Sequence, residues 1–134
     1  MPNGQVTGNN KVWKQITFAP ITTSKIKVTI NGTADSYSRL AEIEAWGTAV
    51  PTPRANVAAS VNGATATASE TNSAPYAPSG AINGDRKFYT NNAWANSTAT
   101  YPQWVQVDFS GSKLIDEIDV FSIQDNPGSP SEPP

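Results

Sequence analysis

The sequence predicts an all-β fold, and three observations carry that expectation. Ile26, Val28 and Ile30 alternate with Lys25, Lys27 and Thr29, which is the period of a strand with one buried face. Val105, Val107 and Phe109 alternate in the same way with Gln106 and Asp108. Nine Gly and eleven Pro in 134 residues, among many Ser, Thr and Asn, supply the turns that short strands need.

Residues 1–10 contain Asn3-Gly4 and Gly8-Asn9 and no apolar periodicity, so they read as loop. A strand is expected over 12–18, with Val12, Lys14, Ile16 and Phe18 on one face and Trp13, Gln15 and Thr17 on the other. After Ala19-Pro20 a second spans 25–30, and Asn31-Gly32 provides a turn whose residues tolerate positive φ. In 40–46, Ala41, Ile43 and Ala45 alternate with Glu42 and Glu44. Leu, Ala and Glu are good helix formers, but seven residues ended by Gly47 are short for a helix, and a strand is expected. Pro51 and Pro53 make 48–55 a linker. Beyond it, 56–69 reads as strand, turn and strand around Asn62-Gly63, 70–80 as loop, and 81–85 as a short apolar step into a turn. The polar stretch 88–100 holds Tyr89, Asn91, Asn92, Trp94 and Asn96, and loops of that length inside a domain are often binding loops. Pro102 marks the entrance to the strand over 104–109; 109–113 is a tight connection, and 114–123 is a second apolar-rich run expected to lie beside the first. Residues 124–134 hold four prolines and are expected to fray. Four Asn-Gly pairs recur at irregular spacing, so they are turn chemistry and not a repeat.

The same residues exclude several function classes. A formal net charge of -2 leaves no basic footprint for nucleic acid. No apolar run approaches the roughly 20 residues that span a bilayer, and residues 1–4 show no signal-peptide pattern, so a soluble chain is expected. With no Cys and no His, thiolate and imidazole chemistry and Cys/His zinc sites are out of reach. Candidate acid–base carboxylates exist at Glu42, Glu44, Asp116, Glu117 and Asp119, but their spacing is that of solvent-facing strand residues, and no enzyme is expected.

Asn56-Val57-Ala58, Ala81-Ile82-Asn83-Gly84-Asp85, Trp94, Trp104-Val105-Gln106-Val107-Asp108-Phe109 and the run 115–120 resemble the first half of a discoidin domain, the coagulation factor type C domain. Residues 12–18, 23–28 and Ser36-Tyr37-Ser38-Arg39-Leu40-Ala41-Glu42-Ile43-Glu44-Ala45-Trp46-Gly47 resemble its closing half. The halves therefore stand in reversed order, 1–47 before the linker and 56–134 after it. A fragment of a tandem array, cut inside two successive repeats, and a circular permutant both fit that order. The resemblance implies a jelly-roll β-sandwich of eight strands. About six are counted in this chain, so the expectation is a permuted sandwich lacking about two strands.

The resemblance further implies a non-catalytic, extracellular or cell-surface module that binds a glycan or another cell-surface ligand. It points to Tyr76, Arg86, Phe88, Tyr89, Asn91 and Asn92 as loop residues that meet the ligand, and to a structural calcium ion held by Asn83, Asp85 and Glu42. Trp46, Trp94 and Trp104 are assigned to the core. A competing expectation makes the vacancy the functional feature: a peptide corresponding to the missing family strands adds to the sheet.

Overall fold

The computed structural model describes residues 4–9, 11–33, 37–48, 54–86 and 92–122. The expectations for Phe88, Tyr89, Asn91, the tail 124–134 and the linker prolines fall outside those residues. Among the described residues there are six strands: β1 (Trp13–Ile30), β2 (Arg39–Thr48), β3 (Ala55–Asn56), β4 (Thr65–Ala68), β5 (Trp94–Ala95) and β6 (Gln103–Ser122). Short 3-10 turns cover Ser60–Asn62, Ala74–Tyr76 and Pro78–Ile82. The sheet is antiparallel, in the order β1-β6-β2-β3, with β4 added to β6 and β5 to β2.

Two expected strand boundaries are absent. The runs 12–18 and 25–30 belong to one strand, because Pro20 falls between Thr17 and Ile21, where the register of β1 against β6 shifts. A proline at such an irregularity removes no ladder bond. Likewise the two apolar runs after Pro102 do not lie side by side. They form one strand, β6, and both pair with β1: Lys25 stands opposite Asp108 and Thr23 opposite Lys113. The residues between Asp108 and Lys113 loop out of the ladder, helped by Gly111 at φ +77°, a left-handed value that glycine adopts without strain. Within the expected loop, the described residues 92–100 contain more order than expected, since β5 pairs Leu40 with Trp94.

The looped-out residues divide the ribbon of β1 and β6 into two arms. One arm carries β4 beside the first half of β6, and the other carries β2 beside the second half. Ile26, Val105 and Val107 from the first arm share one apolar cluster with Ile43, Ala45, Ile115 and Ile118 from the second, together with Ile82 and Trp94. The arms thus close on a common core, consistent with the expected all-β sandwich. Trp94 is fully buried and its indole N–H donates to the Glu70 carbonyl at 2.8 Å. Trp46 and Trp104, also assigned to the core by their sequence, are only half-buried and lie outside the cluster; Lys27 Nζ sits 4.0 Å over the Trp104 ring. Gly47 is required by packing, since a Cβ there would stand 1.9 Å from the Leu114 carbonyl oxygen.

Candidate functional site

The second arm presents a face turned away from the core, and its composition follows from the register. Trp13, Phe121 and Glu42 form one row across β1, β6 and β2; Gln15, Asp119 and Glu44 form the next; Thr17, Glu117 and Trp46 form the third. Alternation sends Ile43 and Ala45 inward and leaves Glu42 and Glu44 on this outer face. Sequence spacing made these carboxylates solvent-facing, and that expectation is corrected: Glu42 is 0% exposed, Glu44 5% and Asp119 4%.

The reason is the turn 83–86, which lies over the face. Gly84 N–H donates to Glu42 Oε2 at 3.2 Å. Arg86 donates through Nε and Nη2 to the two carboxylate oxygens of Glu44, each at 2.9 Å, and its guanidinium carbon lies 4.9 Å from the Phe121 ring centre. Burial drives the Glu42 carboxyl up to about 8, against the opposing pull of the Gly84 amide and with a further push from the charge of Glu44. Asp119 is pushed up to about 6, first by burial and then by repulsion from Glu117 and Glu44. The hydrogen bonds that Arg86 donates to Glu44 hold it even more firmly protonated than an ordinary arginine.

The turn is itself fixed. Asn83 Oδ1 accepts the Asp85 N–H at 2.7 Å, an Asx turn, and Gly84 at φ +87° takes the left-handed position that glycine suits. Asn83 Nδ2 donates to the Asn92 carbonyl at 2.8 Å, and Asn92 Nδ2 donates to Asp85 Oδ2 at 3.5 Å. The structure therefore brings four of the expected site residues together: Asn83, Asp85 and Asn92 in a polar cluster, with Glu42 bound beneath it through the Gly84 amide. Arg86, expected to meet ligand, is bonded to Glu44. Tyr76 ends the 3-10 turn Ala74–Tyr76 and is half-buried.

For a calcium ion, which takes six to eight oxygen ligands, the donor set has one relevant feature. Glu42 Oε1 is buried without a hydrogen-bond partner. Among the described residues no three side chains of Asp, Glu, His or Cys form a metal-holding group, so any cation at this turn draws mostly on amide and backbone oxygens around Glu42.

Beside the turn, the same face opens into a cleft of about 340 Å³ lined by Trp13, Asp119, Phe121, Trp46, Arg54 and Arg86. Trp13 and Phe121 stack with ring centres 6.1 Å apart. Arg54 lies 5.8 Å from the Trp46 ring centre and pairs with Asp116 at 3.0 Å and Glu117 at 3.2 Å. Sequence reasoning missed this cleft. Its signal was present in the spacing of Ile115, Ile118 and Phe121, which breaks strict alternation and shows that β6 buries both of its faces.

A family model described as the F5/8 type C domain matches residues 65–132. Comparison with curated proteins and with solved structures gives no match.

Proposed function

The chain belongs to the F5/8 type C (discoidin) family, and on that premise we propose that it is a non-catalytic glycan-binding module of an extracellular or cell-surface protein. Members of the family are generally binding modules for carbohydrate or phospholipid and typically have no catalytic activity. The observation that carries the reading is the clamped turn. Asn83 and Asn92 are bonded to each other, and the buried carboxylates Glu42 and Glu44 hold Gly84 and Arg86. A binding loop mounted on a fixed base loses less freedom when ligand arrives, which favours affinity. Within the loop, Phe88 and Tyr89 offer rings to a sugar face, and Asn91 and Asn92 offer amides to its hydroxyls. Glu42 and Glu44, the carboxylates weighed for acid–base work, are tied to Gly84 and Arg86. A glycan array followed by calorimetric titration tests the proposal: binding that falls in Tyr89→Ala and Asn92→Ala, with folding intact, supports it. Binding unchanged in both variants takes the loop out of the reading, and the absence of binding to any glycan removes it.

The unpartnered Glu42 Oε1 favours a structural calcium ion at the turn, held by Glu42 with Asn83 and Asp85. Calcium then raises the melting temperature of the chain and has no effect on Glu42→Gln; an equal rise in both contradicts it.

A second reading has support from β1. Its 18 residues pair on one side, with β6, among the described residues, and Phe18, Ile21, Val28 and Ile30 are only partly buried. An edge of that length is a template for strand addition by a peptide matching the missing family strands. Such a peptide, with alternating apolar residues, raises the melting temperature if this reading holds. A chain that melts cooperatively alone and ignores the peptide rules it out.

A further inference from the structure

The cleft leaves two polar atoms unsatisfied. Nε1 of Trp13 and Oδ1 of Asp119 are both buried, and neither has a hydrogen-bond partner. They lie near one another, since Trp13 is among the groups that help to hold Asp119 ionised, although the two form no hydrogen bond of normal geometry. One is donor only and the other, when ionised, acceptor only. Buried polar groups are almost always partnered, so this pair calls for a ligand group that accepts and donates at one place, as a hydroxyl does.

The surroundings narrow the ligand further. Half-buried Trp13 and Trp46 contribute indole rings to its lining, while Gln15, Glu117 and Arg54 add polar groups. The two guanidiniums are already engaged, Arg54 by Asp116 and Glu117 and Arg86 by Glu44, so a phosphate or sulfate gains no net attraction and meets the anions Asp119 and Glu117. A volume of about 340 Å³ lies at the small end of small-molecule sites, about 300–1,000 Å³.

We infer that this strand face is a carbohydrate subsite, distinct from the loop that follows the turn. It takes a neutral pyranose that lies against Trp13 and Trp46 and places one hydroxyl between Trp13 Nε1–H and Asp119 Oδ1. The inference rests on the reading of the chain as a glycan-binding module, and within that module it selects uncharged sugars over sulfated glycans and phospholipid headgroups.

The test is a titration of the full chain, followed by the indole N–H resonances of its four tryptophans, with three probes: galactose, glucose and N-acetylglucosamine as neutral sugars, a sulfated oligosaccharide, and phosphatidylserine vesicles. Trp13→Phe keeps a ring against Phe121 and removes the N–H, which also identifies the Trp13 resonance. The expected result is that a neutral sugar moves this resonance, that Trp13→Phe and Asp119→Asn each weaken binding about tenfold, near 1.4 kcal/mol, and that Tyr89→Ala leaves this binding unchanged. Gln15→Ala, an exposed position, serves where Asp119→Asn fails to fold, and weakens the same binding. Neutral sugars that leave the Trp13 resonance in place, or bind the cleft variants as tightly as the wild type, overturn the subsite. If such binding is lost only in Tyr89→Ala, the subsite falls and the module reading stands; if no glycan binds at all, both fall.

Discussion

Glu42→Gln removes a wholly buried carboxyl while keeping an oxygen that can accept the Gly84 N–H, so its effect on stability isolates the charge. The Glu42 carboxyl titrates near 4.5 in the unfolded chain and near 8 in the folded one. Between those values the unfolded chain releases a proton that the folded chain retains. Stability is therefore full below about 4.5, declines as pH rises, and levels off above about 8. At 1.36 kcal/mol per pH unit the complete loss is about 5 kcal/mol, of which about 3 kcal/mol is already felt at pH 7. Asp119 acts with the same sign between its ordinary 3.8 and about 6. Asp108, held low by Gln106 and Lys25, and Glu70, held low by Ser97 and Thr98, act oppositely and lose stability as the solution becomes strongly acidic. The expected optimum thus lies on the acid side of neutrality. Urea unfolding in the presence of a calcium chelator, at about pH 5 and about pH 8.5, checks the reasoning. Glu42→Gln should match the wild type at the lower pH and exceed it by a few kcal/mol at the higher. A difference between the two proteins that does not change with pH would refute the buried, proton-retaining carboxyl.

Two further substitutions probe the scaffold. Gly47→Ala places a methyl group 1.9 Å from the Leu114 carbonyl oxygen, so β2 and β6 must separate and circular dichroism should show loss of the cooperative melt. Arg86→Ala strands the Glu44 carboxylate, whose side chain is 6% exposed; with the Arg86 side chain itself 38% exposed, solvent replaces part of the lost contact, and the unfolding free energy from urea titration should fall by about 1–3 kcal/mol. Arg86→Lys restores charge without the two-pronged geometry and should recover only part of that.

Alternation revealed the strand character of 25–30, 40–46 and 104–109, because in each the inward residues reach the common core. It did not show that Pro20 and the residues around Gly111 lie inside longer strands. Those are irregularities of the ladder between β1 and β6, set by a partner roughly 90 residues away, and turn residues in sequence look the same whether they reverse the chain or bulge out of it. The site was legible where its contacts are local. Asn83, Asp85 and Asn92 lie within ten residues, and the Asx turn follows from Asn-Gly chemistry. The burial of Glu42, Glu44 and Asp119 was not legible, because period 2 assigns them to an outer face and cannot say that the turn 83–86 covers it. Trp46 was misassigned for the related reason that this outer face carries aromatic residues of its own.

Shift mapping of backbone amides during a glycan titration tests the central claim most directly, since it asks whether ligand arrives at the loop held by the clamped turn. The account predicts saturable changes at Asp85, Arg86 and Asn92 and at the loop residues between them, with the core amides of Ile43 and Val107 unmoved. Glycan at saturating concentration that leaves those loop amides in place, or changes confined to the edge of β1 that faces away from β6, would contradict it.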